Sequence, residues 1–211
     1  MKRKSFYIGL GFLMLFVIWT AALHFVDVRA IGPDGSSVGF ATLNKFVHNS
    51  TGVNMMLYTV TDWLGLVPVF FIFGFGVLGL CEWIKRRNLF KVDYSILTLG
   101  GLYIVVMALY IFFEIFAINF RPILINGYLE ASYPSSTTML VMCVMPTAII
   151  QFNFRIKNSV CRRCVAFIIT AFIVFMVFGR LLSGVHWFSD IVGGAMLSSG
   201  LVMIYDSIVN G

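Results

Sequence analysis

Charge is scarce in this chain. Only 11% of its 211 residues are Asp, Glu, Lys or Arg, and nine of them are acidic. A soluble domain usually carries about a quarter charged residues, so this one could not cover its apolar surface in water. Nucleic-acid binding is set aside with the soluble reading, although the net charge is +6. Gly/Ser linkers, low-complexity tracts and fixed-period repeats are also missing, which leaves one domain over 1–211. Cysteine is sparse at four residues. Cys161 and Cys164 have CxxC spacing, but no second ligand pair completes a zinc site, and reduced thiols at a membrane boundary are the simpler reading. No metal and no cofactor is expected.

What is abundant is apolar sequence: 60% of residues are hydrophobic and the mean hydropathy is +0.94. The apolar residues gather in runs at about 5–26, 55–84, 94–119, 136–152, 164–179 and 190–209. A bilayer-spanning helix needs roughly 20 apolar residues, so the expected fold is all-α, an integral membrane bundle of about six transmembrane helices. The start, Met1-Lys2-Arg3-Lys4 before an apolar stretch, resembles a signal peptide. Its apolar run is too long for one and no small-x-small site follows, so it is read as an uncleaved first span. The second run is long enough to include an interfacial approach, and the 27–54 loop is expected to hold a short helix around 38–47.

The basic residues fix an expected orientation. Eleven of the 15 fall in the N-terminal tail, at 85–91 and at 155–163, all on one side of a six-span layout. Positive charge is retained on the cytoplasmic side. Both termini are then cytoplasmic in a multi-pass cell-membrane protein, and loops 27–54, 120–135 and 180–189 face outward.

Three outward segments carry the remaining chemistry. One runs from Glu114 to Arg121-Pro122, one holds Pro134-Ser135-Ser136-Thr137, and one runs from Gly179-Arg180 through His186 to Asp190. His186 and Asp190 are four apart, on one face if helical. A carboxylate bonded to one imidazole nitrogen leaves the other lone pair free to attack. Arg180 comes back toward the histidine if the chain breaks at Ser183-Gly184. Guanidinium groups grip phosphate oxygens in pairs, and Ser135 and Ser136 open a helix whose first amides can bind an anion. Asp62, near the outer end of the second span, is read as serving its own helix. Together these residues describe an oxyanion site with a histidine nucleophile.

These segments resemble the three signature motifs of the type 2 phosphatidic acid phosphatase superfamily of membrane lipid phosphatases, in order, over roughly 90–210. Gly179, Arg180, His186 and Asp190 match the third motif, S-R-x5-H-x3-D, with glycine for its serine. Arg121-Pro122 match the end of K-x6-R-P, with Glu114 in place of the lysine. Pro134-Ser135 match P-S-x-H, with Thr137 in place of the histidine. The resemblance implies a phosphohistidine on His186 oriented by Asp190, and phosphoryl oxygens held by Arg121, Arg180, Ser135 and Ser136. The partners it implies are membrane lipids carrying phosphate or diphosphate.

The departures matter chemically. In the family the second-motif histidine protonates the leaving oxygen, which Thr137 cannot do at neutral pH. General acid catalysis is worth about 10²–10⁴-fold, so its loss favours substrates with good leaving groups, such as isoprenyl diphosphates. Glu114, His48 and Glu130 are the candidates for a substitute proton. Two alternatives stay open: a catalytically silent protein that binds or moves a lipid phosphate, and a lipid phosphotransferase in which another lipid replaces water.

Overall fold

The computed structural model describes residues 2–210, mostly as helices. Among the described residues, six segments are long and apolar enough to cross a membrane. The first is α1 (Lys2–Ala22). A polar excursion follows, with a two-residue antiparallel pairing of β1 (Arg29–Ala30) and β2 (Ser37–Val38) and then the short helix α2 (Ala41–Thr51). The second span is interrupted at Gly65 into α3 (Met55–Leu64) and α4 (Leu66–Arg86). At about 1.5 Å per residue its 32 residues exceed the roughly 30 Å apolar core of a bilayer, in keeping with the expected interfacial approach. The others are α5 (Tyr94–Ile115), α6 (Ser136–Arg155), α7 (Ser159–Leu182) and α8 (Phe188–Val209).

Side-chain caps set several helix starts. Asn54, Asp93, Ser135 and Asn158 each accept a bond from a first-turn amide of α3, α5, α6 and α7 respectively, satisfying donors that have no intrahelical partner. The Asn158 cap starts α7 five residues before the apolar run expected at 164. In the other direction, α5 stops at Ile115 although the apolar run reaches 119.

The most buried span is α6, and α8 packs mainly against α1 and α6. The α1–α8 approach needs glycine on both sides: a Cβ at Gly9 would lie 3.0 Å from the Gly200 carbonyl oxygen, and one at Gly200 would lie 2.7 Å from Leu13 Cδ2. Small facing residues permit such close packing in a bilayer. At the basic end of the bundle, a polar set, buried at Ser95, Gln151 and Tyr205, joins three spans. Gln151 of α6 donates to the Ser95 carbonyl (3.3 Å), as does the Tyr205 hydroxyl of α8 (3.2 Å), and Arg155 pairs with Asp93 at 3.2 Å. The opposite end is built from the last turns of α3, α5 and α7 and the first turns of α6 and α8.

Candidate active site

The α5–α6 loop is a short extended pairing. Phe120 bridges Ala131, the Arg121 amide donates to the Glu130 carbonyl (3.0 Å), and the Ser132 amide donates to the Asn119 carbonyl (2.9 Å). Residues two apart share a face along such a pairing, so Asn119, Arg121, Glu130 and Ser132 point the same way. Asn119 and Ser132 both reach Asp190, and Arg121, Glu130 and Ser132 line a cavity of about 200 Å³ together with His186, Glu114, Ser136 and Tyr133.

His186 does not share a helix with Asp190. It lies on the turn between α7 and α8, where Gly184 has φ +68° and a Cβ would sit 2.0 Å from the Gly52 carbonyl oxygen. Only glycine avoids both penalties. The break expected at Ser183-Gly184 is present. Asp190, at the third position of α8, accepts from the Trp187 amide at 2.9 Å. The expected direct bond between carboxylate and imidazole is absent: His186 Nδ1 is 3.9 Å from Asp190 Oδ2. The Ser132 hydroxyl stands between them, 3.0 Å from Nδ1 and 2.5 Å from Oδ2. Asn119 and Ser189 donate to the other carboxylate oxygen at 3.3 and 3.4 Å.

The second imidazole nitrogen, Nε2, is buried without a hydrogen-bond partner, as are Arg121 Nη1 and Arg180 Nε. Buried polar atoms in native proteins are nearly always paired, so the free guanidinium N–H groups are prepared for an acceptor beside the unpartnered Nε2. Burial first, then the charges of Arg121 and Arg180, push the imidazole well below its ordinary value near 6.5, against an opposing contact with Ser132. His186 is therefore neutral at pH 7, as a nucleophile must be.

The two guanidinium groups meet at Tyr58 of α3, their carbons 5.9 Å (Arg121) and 5.0 Å (Arg180) from the ring centroid. Each also has a carboxylate neighbour. Arg121 Nε is 3.1 Å from Glu130, and Arg180 Nη1 is 3.5 Å from both Asp62 and the Thr61 hydroxyl. Asp62 thus faces Arg180 and does not merely serve its own helix, because the last turn of α3 packs on α7. Arg180 itself is not part of the cavity wall.

The other expected residues divide. Ser136 and Glu114 line the cavity, the latter from the exposed last turn of α5. Ser135 is fully buried and committed elsewhere: its amide donates to the Asp190 carbonyl (3.1 Å) and its hydroxyl caps Thr138 (3.4 Å). These bonds tie α6 to α8, and Ser135 lies outside the cavity wall. Thr137 is not in the cavity wall; its methyl faces Gly65. His48 packs against Trp187, ring centroids 5.5 Å apart, and is likewise outside the wall. Gly179 is also explained: a Cβ there would lie 2.7 Å from Thr61 Cγ2, so the threonine fills the space a serine would need.

The PAP2 superfamily model matches residues 104–210, which hold all three segments. The chain belongs to the PAP2 superfamily. Its fold is similar to that of the transmembrane PAP2-type phosphatidylglycerolphosphate phosphatase of Bacillus subtilis, with a TM-score of 0.65 at 18% identity over 96% of each chain. No curated protein matches its sequence. As a PAP2 protein it is a multi-pass membrane bundle. Ser132, Asn119, Tyr58 and Thr61 join the candidate site although sequence spacing did not announce them. Asn119 and Ser132 each lie two positions from a motif residue, Arg121 and Pro134, but only the loop pairing brings them together.

Proposed function

We propose that the protein is a lipid phosphate phosphatase that works through a phosphohistidine on His186. The observation that carries this reading is the group of buried nitrogens left without a partner: His186 Nε2, Arg121 Nη1 and Arg180 Nε. A tetrahedral oxyanion supplies the acceptors that the two guanidinium groups lack, with its phosphorus in front of Nε2. The Nε2 lone pair attacks phosphorus, and the P–O bond breaks with its electron pair going to the lipid oxygen, which takes a proton from water. The hydroxide left behind attacks the phosphohistidine, and Nε2 recovers its pair as phosphate departs.

The site opens on the outer face, as the basic residues at the other end of the bundle favour, and Tyr110, Phe113 and Glu114 of α5 line the cavity that takes the substrate. With Thr137 turned toward Gly65, acid assistance to the leaving oxygen from that position is missing. Substrates whose leaving group needs little assistance are favoured, and isoprenyl diphosphates are the lipid class that fits. The test is phosphate release from a panel of lipid mono- and diphosphates in detergent micelles, with His186→Ala as control. Release from none of them, or equal release by the variant, overturns the proposal.

A further inference from the structure

The separation of 3.9 Å between His186 Nδ1 and Asp190 Oδ2 is beyond hydrogen-bond reach. If nothing lay between them, the carboxylate could not select the imidazole tautomer, and a nucleophile at Nε2 requires the proton to be on Nδ1. The Ser132 hydroxyl is 2% exposed as a residue and within bonding distance of both groups. We propose that Ser132 is a positioning residue of this centre, through which Asp190 holds His186 in its reactive tautomer. The inference rests on the phosphohistidine reading above.

The proton count gives the direction of each bond. A serine hydroxyl has one proton. At 2.5 Å the contact to Asp190 is in the range of a charge-assisted O–H···O⁻ bond, so Ser132 donates to Oδ2. Its oxygen is then an acceptor toward His186, which must donate from Nδ1 at 3.0 Å. The chain Nδ1–H to Ser132, then O–H to Asp190, leaves Nε2 with its lone pair toward the cavity, where it has no protein partner.

No proton moves along this chain during reaction. As the Nε2–P bond forms, positive charge develops on the imidazole ring, and the hydroxyl dipole aligned by the Asp190 carboxylate stabilises it. The backbone holds the relay in register. The Ser132 amide donates to the Asn119 carbonyl, and Asn119 in turn donates to Asp190, so the same loop grips the carboxylate twice. That loop also carries Arg121, which couples the phosphate-binding arginine to the orientation of the nucleophile.

The experiment compares the full-length protein with Ser132→Ala, Ser132→Thr, Asp190→Asn and the Ser132→Ala/Asp190→Asn double variant, all in detergent micelles. Activity is read on the lipid phosphate that wild type turns over best, and the His186 tautomer by ¹⁵N imidazole NMR. Wild type is expected in the Nδ1–H form with a free Nε2. Ser132→Ala should lose that preference and lower kcat about 10–100-fold, as removal of an orienting partner typically does, with KM nearly unchanged. Ser132→Thr, which keeps the hydroxyl, should recover the tautomer. In the double variant the losses should not multiply, because both residues act through one chain. An unchanged tautomer in Ser132→Ala, or losses that multiply in the double variant, overturns the proposal. If wild type releases no phosphate from any lipid, the phosphatase reading falls, and the NMR comparison alone decides whether Ser132 sets the tautomer.

Discussion

Glu130 lies 3.1 Å from Arg121 Nε on the wall of the cavity that His186 faces. A phosphate arriving at Arg121 has to share this guanidinium with a carboxylate. Because Glu130 is more than a third exposed, solvent screens the pair, and pairs of this kind are worth about 0.2–1 kcal/mol. Glu130→Gln should therefore lower KM for a lipid monophosphate a few-fold and leave kcat within a similar range. A raised KM in initial-rate kinetics would instead make Glu130 a group that helps seat the substrate.

The pH dependence has a definite sign. His186 is held well below 6.5 by burial and by two neighbouring positive charges. Its neutral form is the nucleophile, so the acid limb of kcat/KM attributable to it should lie well below pH 6.5. Arg121→Gln removes one positive neighbour, which makes protonation easier and raises the imidazole pKa. The acid limb should then move up in pH even as overall activity falls. Profiles on the same substrate for both proteins cancel the substrate's own ionisation, and an acid limb that moves down would contradict the electrostatic account.

Restoring a histidine at position 137 should not restore an acid. The Thr137 side chain faces Gly65, where α3 meets α4, and takes no part in the cavity wall. An imidazole there would crowd that junction instead of reaching the leaving oxygen. With phosphatidic acid as substrate, Thr137→His should leave kcat far short of the ~10²–10⁴-fold that general acid catalysis supplies. A gain of that size would mean the α6 start turns toward the cavity when substrate is bound.

Helix number and type were legible because each span is a long apolar run with few charges, the strongest signal a sequence offers. The ends were not, since hydropathy does not see hydrogen bonds. Ile118 is as apolar as any span residue, yet α5 stops at Ile115 because the next residues lead into the pairing with 130–132. In the site, Arg121, His186 and Asp190 could be named in advance from residue type and order. Ser132, Thr61 and Tyr58 could not, because their roles arise where separate elements meet. The direct His186–Asp190 bond failed for a related reason: four-residue spacing implies contact only inside a helix, and α8 begins after His186.

Gly179 and Thr61 make a last, independent test of how α3 is seated on α7. A Cβ at 179 would approach Thr61 Cγ2 to 2.7 Å, closer than two carbons in contact can lie. Gly179→Ser should therefore push α3 from α7 and disturb the Arg180 contacts with Thr61 and Asp62, a cost of roughly 1–3 kcal/mol if it behaves as other overpacked sites do. Thr61→Ser removes the offending methyl while keeping the hydroxyl that faces Arg180. Alone it should cost little, and combined with Gly179→Ser it should recover most of the lost stability. Thermal unfolding of the four proteins in detergent measures the coupling. Strongly non-additive losses locate the two residues against each other, whereas simple addition would mean that α3 and α7 do not touch at this point, and Arg180 would then owe its position to some other partner.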